Sequence, residues 1–395
     1  MKKLRGAILS FSVLLGTSSA FSYDFSAIVT DSTKVDFYNG KFENPLLKQS
    51  EKFIGAFTTP LSKDGVSSLA AEATVEHKMD RQFGDDGKTD NNIVVDCTLF
   101  KFATSRKIKG NILDVSAGRF FYSDLSGIVV AQPNDGIFAK CKMSKVEFSA
   151  YGGYTGLQNV KNVSVITSKG KIWSPSDEKD VYDFTAPYAI GCVCVSLPYI
   201  FKNQTVSFEG LCAVNVGGPA DFEDDDERIY GTVNLTGPLS EKLFYTINGT
   251  FGTTDFDKIG LLGSLNINYF SIYKNAALEF NAVYASGETD SMGSFVGVTK
   301  IAACLSKDEP IYSGLMKMGL SGSIIPIDKF VVSAGGDMVY RLLEDSTELY
   351  GVQVSGGIMY KMYSDLNFSL SVSHFVGKYE EASRTEIALG FALAL

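Results

Sequence analysis

Apolar residues recur at every second position along most of this chain. In 365–377, Leu366, Phe368, Leu370, Val372 and Val376 alternate with Asn367, Ser369, Ser371 and Ser373. In 275–286, Leu278, Phe280, Ala282 and Tyr284 oppose Glu279 and Asn281. In 258–271, Leu261, Leu265, Ile267 and Tyr269 oppose Ser264, Asn266 and Asn268. A period of two predicts a strand with one apolar and one polar face. The same reading places strands at 25–38, 51–61, 66–79, 91–104, 110–121, 136–143, 145–155, 186–200, 204–216, 228–238, 241–253, 310–324, 329–342, 348–362 and 384–395. That makes about eighteen segments, each long enough to cross a bilayer at a tilt. No uncharged stretch of spanning-helix length follows residue 22. The nearest, 186–201, is interrupted by Pro187 and Pro198.

The breaks between these segments alternate in length. One set is short: 62–65, 105–109, 143–145, 201–204, 238–241, 272–275, 326–328 and 364. The other set is mostly long and polar: 40–50, 80–89, 122–135, 156–185, 217–227 and 287–309, with 254–257, 344–347 and 378–383 its short members. A soluble sandwich also alternates, with polar residues facing water. It has no reason to sort its loops by side. A membrane barrel with short periplasmic turns and long extracellular loops does. The expected fold is therefore all-β: a single closed transmembrane antiparallel β-barrel of about eighteen strands, with sixteen as the alternative.

The last twelve residues, 384–395 (RTEIALGFALAL), make the closing strand. Ile387, Leu389, Phe391, Leu393 and Leu395 share its apolar face and form the expected membrane-assembly signal. Leu395 stands where an aromatic is commonest. Periplasmic chaperones and the barrel-insertion machinery are the partners such a signal implies. An edge strand left unpaired invites aggregation, so this strand is expected to pair with the one beginning near Phe25.

The N-terminus sets the compartment. Lys2, Lys3 and Arg5 precede a short apolar run, 6–16, and small residues ending at Ala20 and Ser22. This is the pattern of a secretory signal, too short to span. The domain reading is a signal peptide at 1–22 and a barrel at 23–395. Losing three basic residues and no acid takes the formal charge from −9 to −12. Such a balance argues against nucleic acid. The 38 Gly, 19 Tyr and 28 Phe against 10 Pro suit many strands. Cys97, Cys141, Cys192, Cys194, Cys212 and Cys304 have neither Cys-x-x-Cys spacing nor a neighbouring His. They read as small strand residues, and no metal or cofactor is expected.

If the apolar faces meet lipid, the other parity lines a lumen. The acids assigned there are Glu72, Glu76, Asp96, Asp114, Glu147, Glu209, Glu279, Asp337 and Glu386. The bases are Lys78, Lys317, Arg341, Lys361 and Arg384. An excess of carboxylates favours cations where it stands at the narrowest point. The competing reading is that these charges pair across the lumen and only hydrate it. The acidic stretches 84–90 and 221–228 lack a calcium-loop pattern and read as solvated loops.

The stretch from Ala117 to Leu157 carries Gly118-Arg119, then Asp124, Gly127, Gln132 and Asp135-Gly136, then Gly152-Gly153-Tyr154-Thr155-Gly156. In this strand–loop–strand pattern the chain resembles Gram-negative outer-membrane porins, especially the alginate-exporter-like kind. The resemblance implies an eighteen-stranded passive channel, and no particular substrate. A polyuronate conduit is expected to be Arg-rich inside, whereas the parity-assigned lumen is acidic. Strict parity also puts Arg119 on the lipid side with Leu113, Val115 and Ala117, unless a bulge shifts the register.

Catalysis finds little support. His77 and His374 fall on apolar parities near the rim, and no hydrolase, zinc or phosphate-loop motif occurs. The expected function is an outer-membrane channel for passive diffusion of small hydrophilic solutes or ions, leaning to cations. The alternatives are a barrel adhesin or structural protein, favoured if 156–185 and 287–309 project outward, and a substrate-specific transporter.

Overall fold

The computed structural model describes residues 24–84, 87–155, 163–168, 170, 172–173, 187–217, 226–254, 258–271 and 273–395. Residues 1–22, expected to be a signal peptide, lie outside them. Eighteen antiparallel strands form one closed ring, as the alternation predicts. They are β1 (Asp24–Tyr38), β2 (Leu46–Pro60), β3 (Ser67–Gln82), β4 (Thr89–Ile108), β5 (Asn111–Ser123), β6 (Ala131–Lys142), β7 (Glu147–Tyr154), β10 (Tyr188–Phe201), β11 (Gln204–Asn215), β12 (Glu227–Ser240), β13 (Leu243–Thr254), β14 (Lys258–Phe270), β15 (Ala277–Ala285), β16 (Leu315–Ile327), β17 (Phe330–Leu342), β18 (Thr347–Lys361), β19 (Leu366–Gly377) and β20 (Arg384–Ala394). Two short strands inside the ring, β8 (Val165–Ile166) and β9 (Ile172–Trp173), pair with each other.

Each strand pairs with its sequence neighbours, and β20 closes on β1 from Ile28↔Ala394 to Tyr38↔Arg384. Leu395 and Ala27 then exchange both backbone hydrogen bonds, at 2.7 and 3.1 Å. Closure leaves no free edge, which is what a bilayer demands of a sheet. The parity expected to face lipid is exposed all round the ring, as at Ile93, Val193, Leu320 and Leu389. Inward positions on β12–β14 link hydroxyls and amides across strands, including Thr232–Thr250 (3.0 Å) and Asn248–Ser264 (3.0 Å). Short turns gather at one end. Two of them, Lys109–Gly110 (φ 49° and 88°) and Lys202–Asn203 (φ 44° and 67°), have positive φ at both residues, the two-residue hairpin geometry that matches strand twist.

The other end holds the long loops, and the described parts of those after β5, β7 and β15 turn into the ring. Val129, Val130, Val163, Val165, Phe295 and Val298 from these loops are almost completely buried. They pack on inward wall residues that include Tyr151, Tyr188, Ile190, Leu211 and Tyr230. The barrel thus has its larger apolar core inside the lumen on this side, and a smaller cluster of Ala303, Cys304, Leu315, Val339, Tyr350, Phe375 and Ala382 lies on the opposite side.

One strand pair departs from the ring. The β4–β5 ladder ends at Phe100↔Arg119, while β5–β6 continues to Ser123↔Ala131. The departure falls at Gly118, whose φ is +116° and where a Cβ would lie 2.0 Å from the Phe100 carbonyl oxygen. Only glycine tolerates both. This corrects the strict-parity placement of Arg119 against lipid. Its guanidinium turns into the gap that β5 leaves, bonds the Cys97 carbonyl (3.1 Å) and holds Asp135 through two hydrogen bonds (3.0 and 2.8 Å).

Candidate functional site

The segment between β15 and β16 crosses the lumen and is tied to both sides. On the apolar side, Arg228 of β12 donates to the Gly297 carbonyl (2.9 Å) and the Ile166 carbonyl (2.8 Å). The Tyr230 hydroxyl donates to the Val296 carbonyl (2.7 Å). Val298 and Thr299 N–H both reach the Val129 carbonyl (2.7 and 3.1 Å), and Thr299 Oγ1 donates to Gln132 (3.0 Å). Arg228 is fully buried, with Asp226 3.0 Å away to neutralise it. A second buried carboxylate, Asp124, closes the loop from β5 to β6 by accepting N–H bonds from Ser126 (2.8 Å) and Val130 (2.9 Å). Burial raises the Asp124 carboxyl above its ordinary value, against the pull of those donors.

On the opposite side the same crossing segment meets charges. Leu305 N–H donates to the Gln353 side chain of β18 (2.7 Å), and Lys307 N–H to the Ala382 carbonyl (3.2 Å). Arg384, the first residue of β20, donates to both Asp36 oxygens (3.0 and 3.2 Å) and to Glu309 of the segment (2.9 Å). Burial works to raise the Glu309 carboxyl, yet hydrogen bonds from Arg384 and Lys300 hold it below its ordinary value. Beside this latch opens a cavity of about 540 Å³, bordered by Lys34, Lys48, Cys304, Lys317, Gln353 and Glu386. Nearer the short turns, a hydroxyl-lined cavity of about 450 Å³ runs past Glu279, Ser321, Ser333, Ser355 and Ser371.

The acids and bases named from parity are scattered through this lumen. Lys317 and Glu386 stand at the larger cavity, and Asp337 pairs with Lys317 (3.4 Å). Glu386 meets Lys34 (3.4 Å) and Arg384 (3.4 Å). Glu76 accepts from Ser50 (2.6 Å) near Lys52 (3.4 Å), and Glu72 accepts from Thr98 (2.5 Å). Asp96 lies 3.9 Å from Arg119. Glu209 accepts the Leu125 N–H (3.1 Å), joining wall to loop. Glu279 accepts from Asn266 (2.5 Å). Asp114 pairs with Lys142 (2.9 Å) and Glu147 with Lys140 (2.5 Å), near the short turns. Arg341 lies over the Tyr350 ring (4.4 Å), and Lys361 is exposed.

Sequence reasoning missed Lys34, Asp36, Lys48, Lys52, Lys101, Lys140, Lys142, Arg228 and Glu309. Most are bases, so the acidic excess counted from parity disappears, and with it the argument for a cation preference. A usable signal was present in β10 (YAIGCVCVSLPYIF), where both parities are apolar. A strand facing lipid on one side and water on the other cannot read that way. Among the described residues, no three His, Cys, Asp or Glu side chains group as a metal site requires. His77 and His374 lie outward, beside Glu51 (3.7 Å) and Thr385 (2.8 Å).

No protein-family model and no curated protein matches the chain. Its fold is that of several solved barrels from Pseudomonas aeruginosa. OpdQ superposes with a TM-score of 0.62 at 9% identity, covering 95% of this chain and 99% of that one. OccK5 (OpdH) gives 0.61 at 10% identity, with 95% and 98% covered. OpdK, described as an outer membrane protein, gives 0.55 at 9% identity, with 94% and 98% covered.

Proposed function

We propose that the chain is an outer-membrane channel through which small hydrophilic solutes diffuse, its narrowest passage set by the segment between β15 and β16. The observation that carries this reading is the crossing of that segment: bonded to Arg228 on one side and to Arg384 on the other, it leaves a charged cavity beside it. The parity-assigned Glu72, Glu76, Asp96, Asp114, Glu147, Glu209, Glu279, Lys317, Asp337, Arg341, Lys361 and Glu386 then belong to the wall of the water path. Residues 1–22 act as the export signal. Ile387, Leu389, Phe391, Leu393 and Leu395 present the apolar face read by chaperones and insertion machinery. The role requires no catalysis and no cofactor.

The test is conductance of the purified protein in a planar bilayer. Stepwise openings of uniform size are expected, and a bilayer that stays silent at high protein load refutes the reading. The adhesin alternative depended on 156–185 and 287–309 projecting outward. Residues 163–168 and 293–306 instead turn into the ring, which weakens that motivation, while 156–162 and 174–186 lie outside the described residues. A substrate-specific transporter differs from a general one only in how the cavity beside Arg384 selects.

A further inference from the structure

The outward face of the ring is apolar with one break. Asp31 on β1, Gln49 and Glu51 on β2, and His77 on β3 share parity with Val29, Phe53 and Val75, which face outward. Asp31 and Glu51 are direct partners across the ladder, as are Glu51 and His77. Gln49 donates to Glu51 (3.1 Å), and the His77 ring lies 3.7 Å from the same carboxylate. This is no rim feature on β1: Asp31 pairs with Phe391 of β20, and Val29 and Val35 flank it on the same face. From β4 to β17, away from the rims, the charged outward positions among the described residues are Arg119 and Asp135. Those two pair with each other and sink into the wall.

Two carboxylates directly opposite each other repel. Acyl chains offer them neither counter-charge nor hydrogen bond. Asp31 also borders an outward groove of about 450 Å³ lined by Ile358, Tyr360, Leu370 and Leu389. A surface with that shape and chemistry is built to be covered by protein.

The patch complements itself. Carboxylate and imidazole sit side by side on adjacent strands. A two-fold axis along the membrane normal, the only two-fold that keeps both sets of loops on one side, lays β2 and β3 of one copy against β3 and β2 of the other. Glu51 then faces the partner's His77, and His77 the partner's Glu51, an isologous contact. We propose that two copies of this chain associate through the outward face of β1–β3, with Glu51 and His77 exchanging hydrogen bonds across the axis. The proposal rests on the barrel lying in a bilayer, and the test separates the two ideas.

The full chain is folded in a mild detergent and its mass taken by light scattering. Unheated and heated samples are compared on a denaturing gel to show that the barrel is formed. The wild type is expected at twice the chain mass. Glu51→Leu with His77→Leu is expected at one chain mass, with its heat-dependent gel shift kept. The exchanged pair, Glu51→His with His77→Glu, preserves the complementarity and is expected to remain a dimer. A folded wild type at one or three chain masses, or a leucine variant that stays dimeric, overturns the proposal. Single-chain mass with co-purified lipopolysaccharide also overturns it and gives the face to lipid. A chain with no heat-dependent shift at all refutes instead the membrane-barrel reading beneath it.

Discussion

The two sides of the lumen are built from inward positions of equivalent strands, yet they differ in their balance of apolar burial and charge. Along β7 and β10–β12, Tyr151, Tyr188, Ile190, Leu211 and Tyr230 bury the loops in an apolar core. Along β16–β20 and β1–β2, Lys34, Asp36, Lys48, Lys317, Gln353 and Arg384 face the same crossing segment across a cavity. The first side holds by area removed from water and by a buried guanidinium, terms that salt barely touches. The second holds by a smaller apolar cluster around Leu315, Val339, Tyr350 and Phe375, by the buried Arg384–Asp36 pair, and by partly exposed ion pairs such as Arg384–Glu309, which salt and pH weaken. One side therefore works as a fixed abutment and the other as an adjustable one.

The largest break in this contrast comes from the fixed side. Arg228→Met leaves Asp226 and two loop carbonyls without their partner, a cost of about 3–5 kcal/mol for a buried pair. The segment is expected to come away: protease should cut near Lys300 in folded barrels, and single-channel conductance should rise. Unchanged conductance and full resistance to protease would show that the apolar packing suffices alone.

Next in size is Arg384→Gln, which strips Asp36 and Glu309 of their shared cation. The expected cost is about 2 kcal/mol, the scale of hydrogen bonds to charged groups. Openings should become larger and noisier, with a weaker dependence on salt than the wild type shows. An equal response from the two variants would erase the distinction between the sides.

Acid gives a subtler test of the adjustable side. The Glu309 carboxyl is held below its ordinary value. Its contribution is therefore complete above that value and fades as pH falls through the lowered one. Cys304 reports on the change. Burial pushes its thiol up to about 11, so at neutral pH it is protonated and shielded. Glu309→Gln should speed its labelling by a charged thiol reagent at neutral pH, and leave Arg228's side protected. Labelling that does not accelerate would mean the latch does not cover Cys304.

The smallest effect is electrical. Lys34→Gln with Lys48→Gln removes two cations beside the cavity while leaving the latch. The zero-current potential in a salt gradient should move toward cation preference. No movement would place the selecting charges elsewhere.

Much of the fold could be read from the chain. The count of strands, the sorted loops and the pairing of the last strand with the one near Phe25 follow from period-two alternation and from the need to close every edge. Alternation says which residues share a face, but not what covers that face. On β19, with Ser369, Ser371 and Ser373 inward, the inner face meets water and parity is informative. On β10, Tyr188 and Ile190 point inward as apolar residues, because loops distant in sequence bury them. Assigning every apolar parity to lipid hides that core. Arg228 and Asp36 escaped for another reason: each stands near a strand end, where parity is weakest, and each takes its meaning from partners more than sixty residues away. Arg119 escaped because one glycine lets a hairpin leave the wall.

Arg384 belongs to two closures at once. Through Asp36 it bridges β20 to β1, the last joint of the ring, and through Glu309 it fixes the segment that crosses the lumen. Those strands are the most distant in the chain, and loop-closure entropy opposes their meeting more than that of sequence neighbours. Without Arg384, Glu309 lacks its guanidinium partner while Gln353 and Ala382 still hold this side of the segment. A change at this one residue therefore strains the seam of the wall and the anchoring of the segment together.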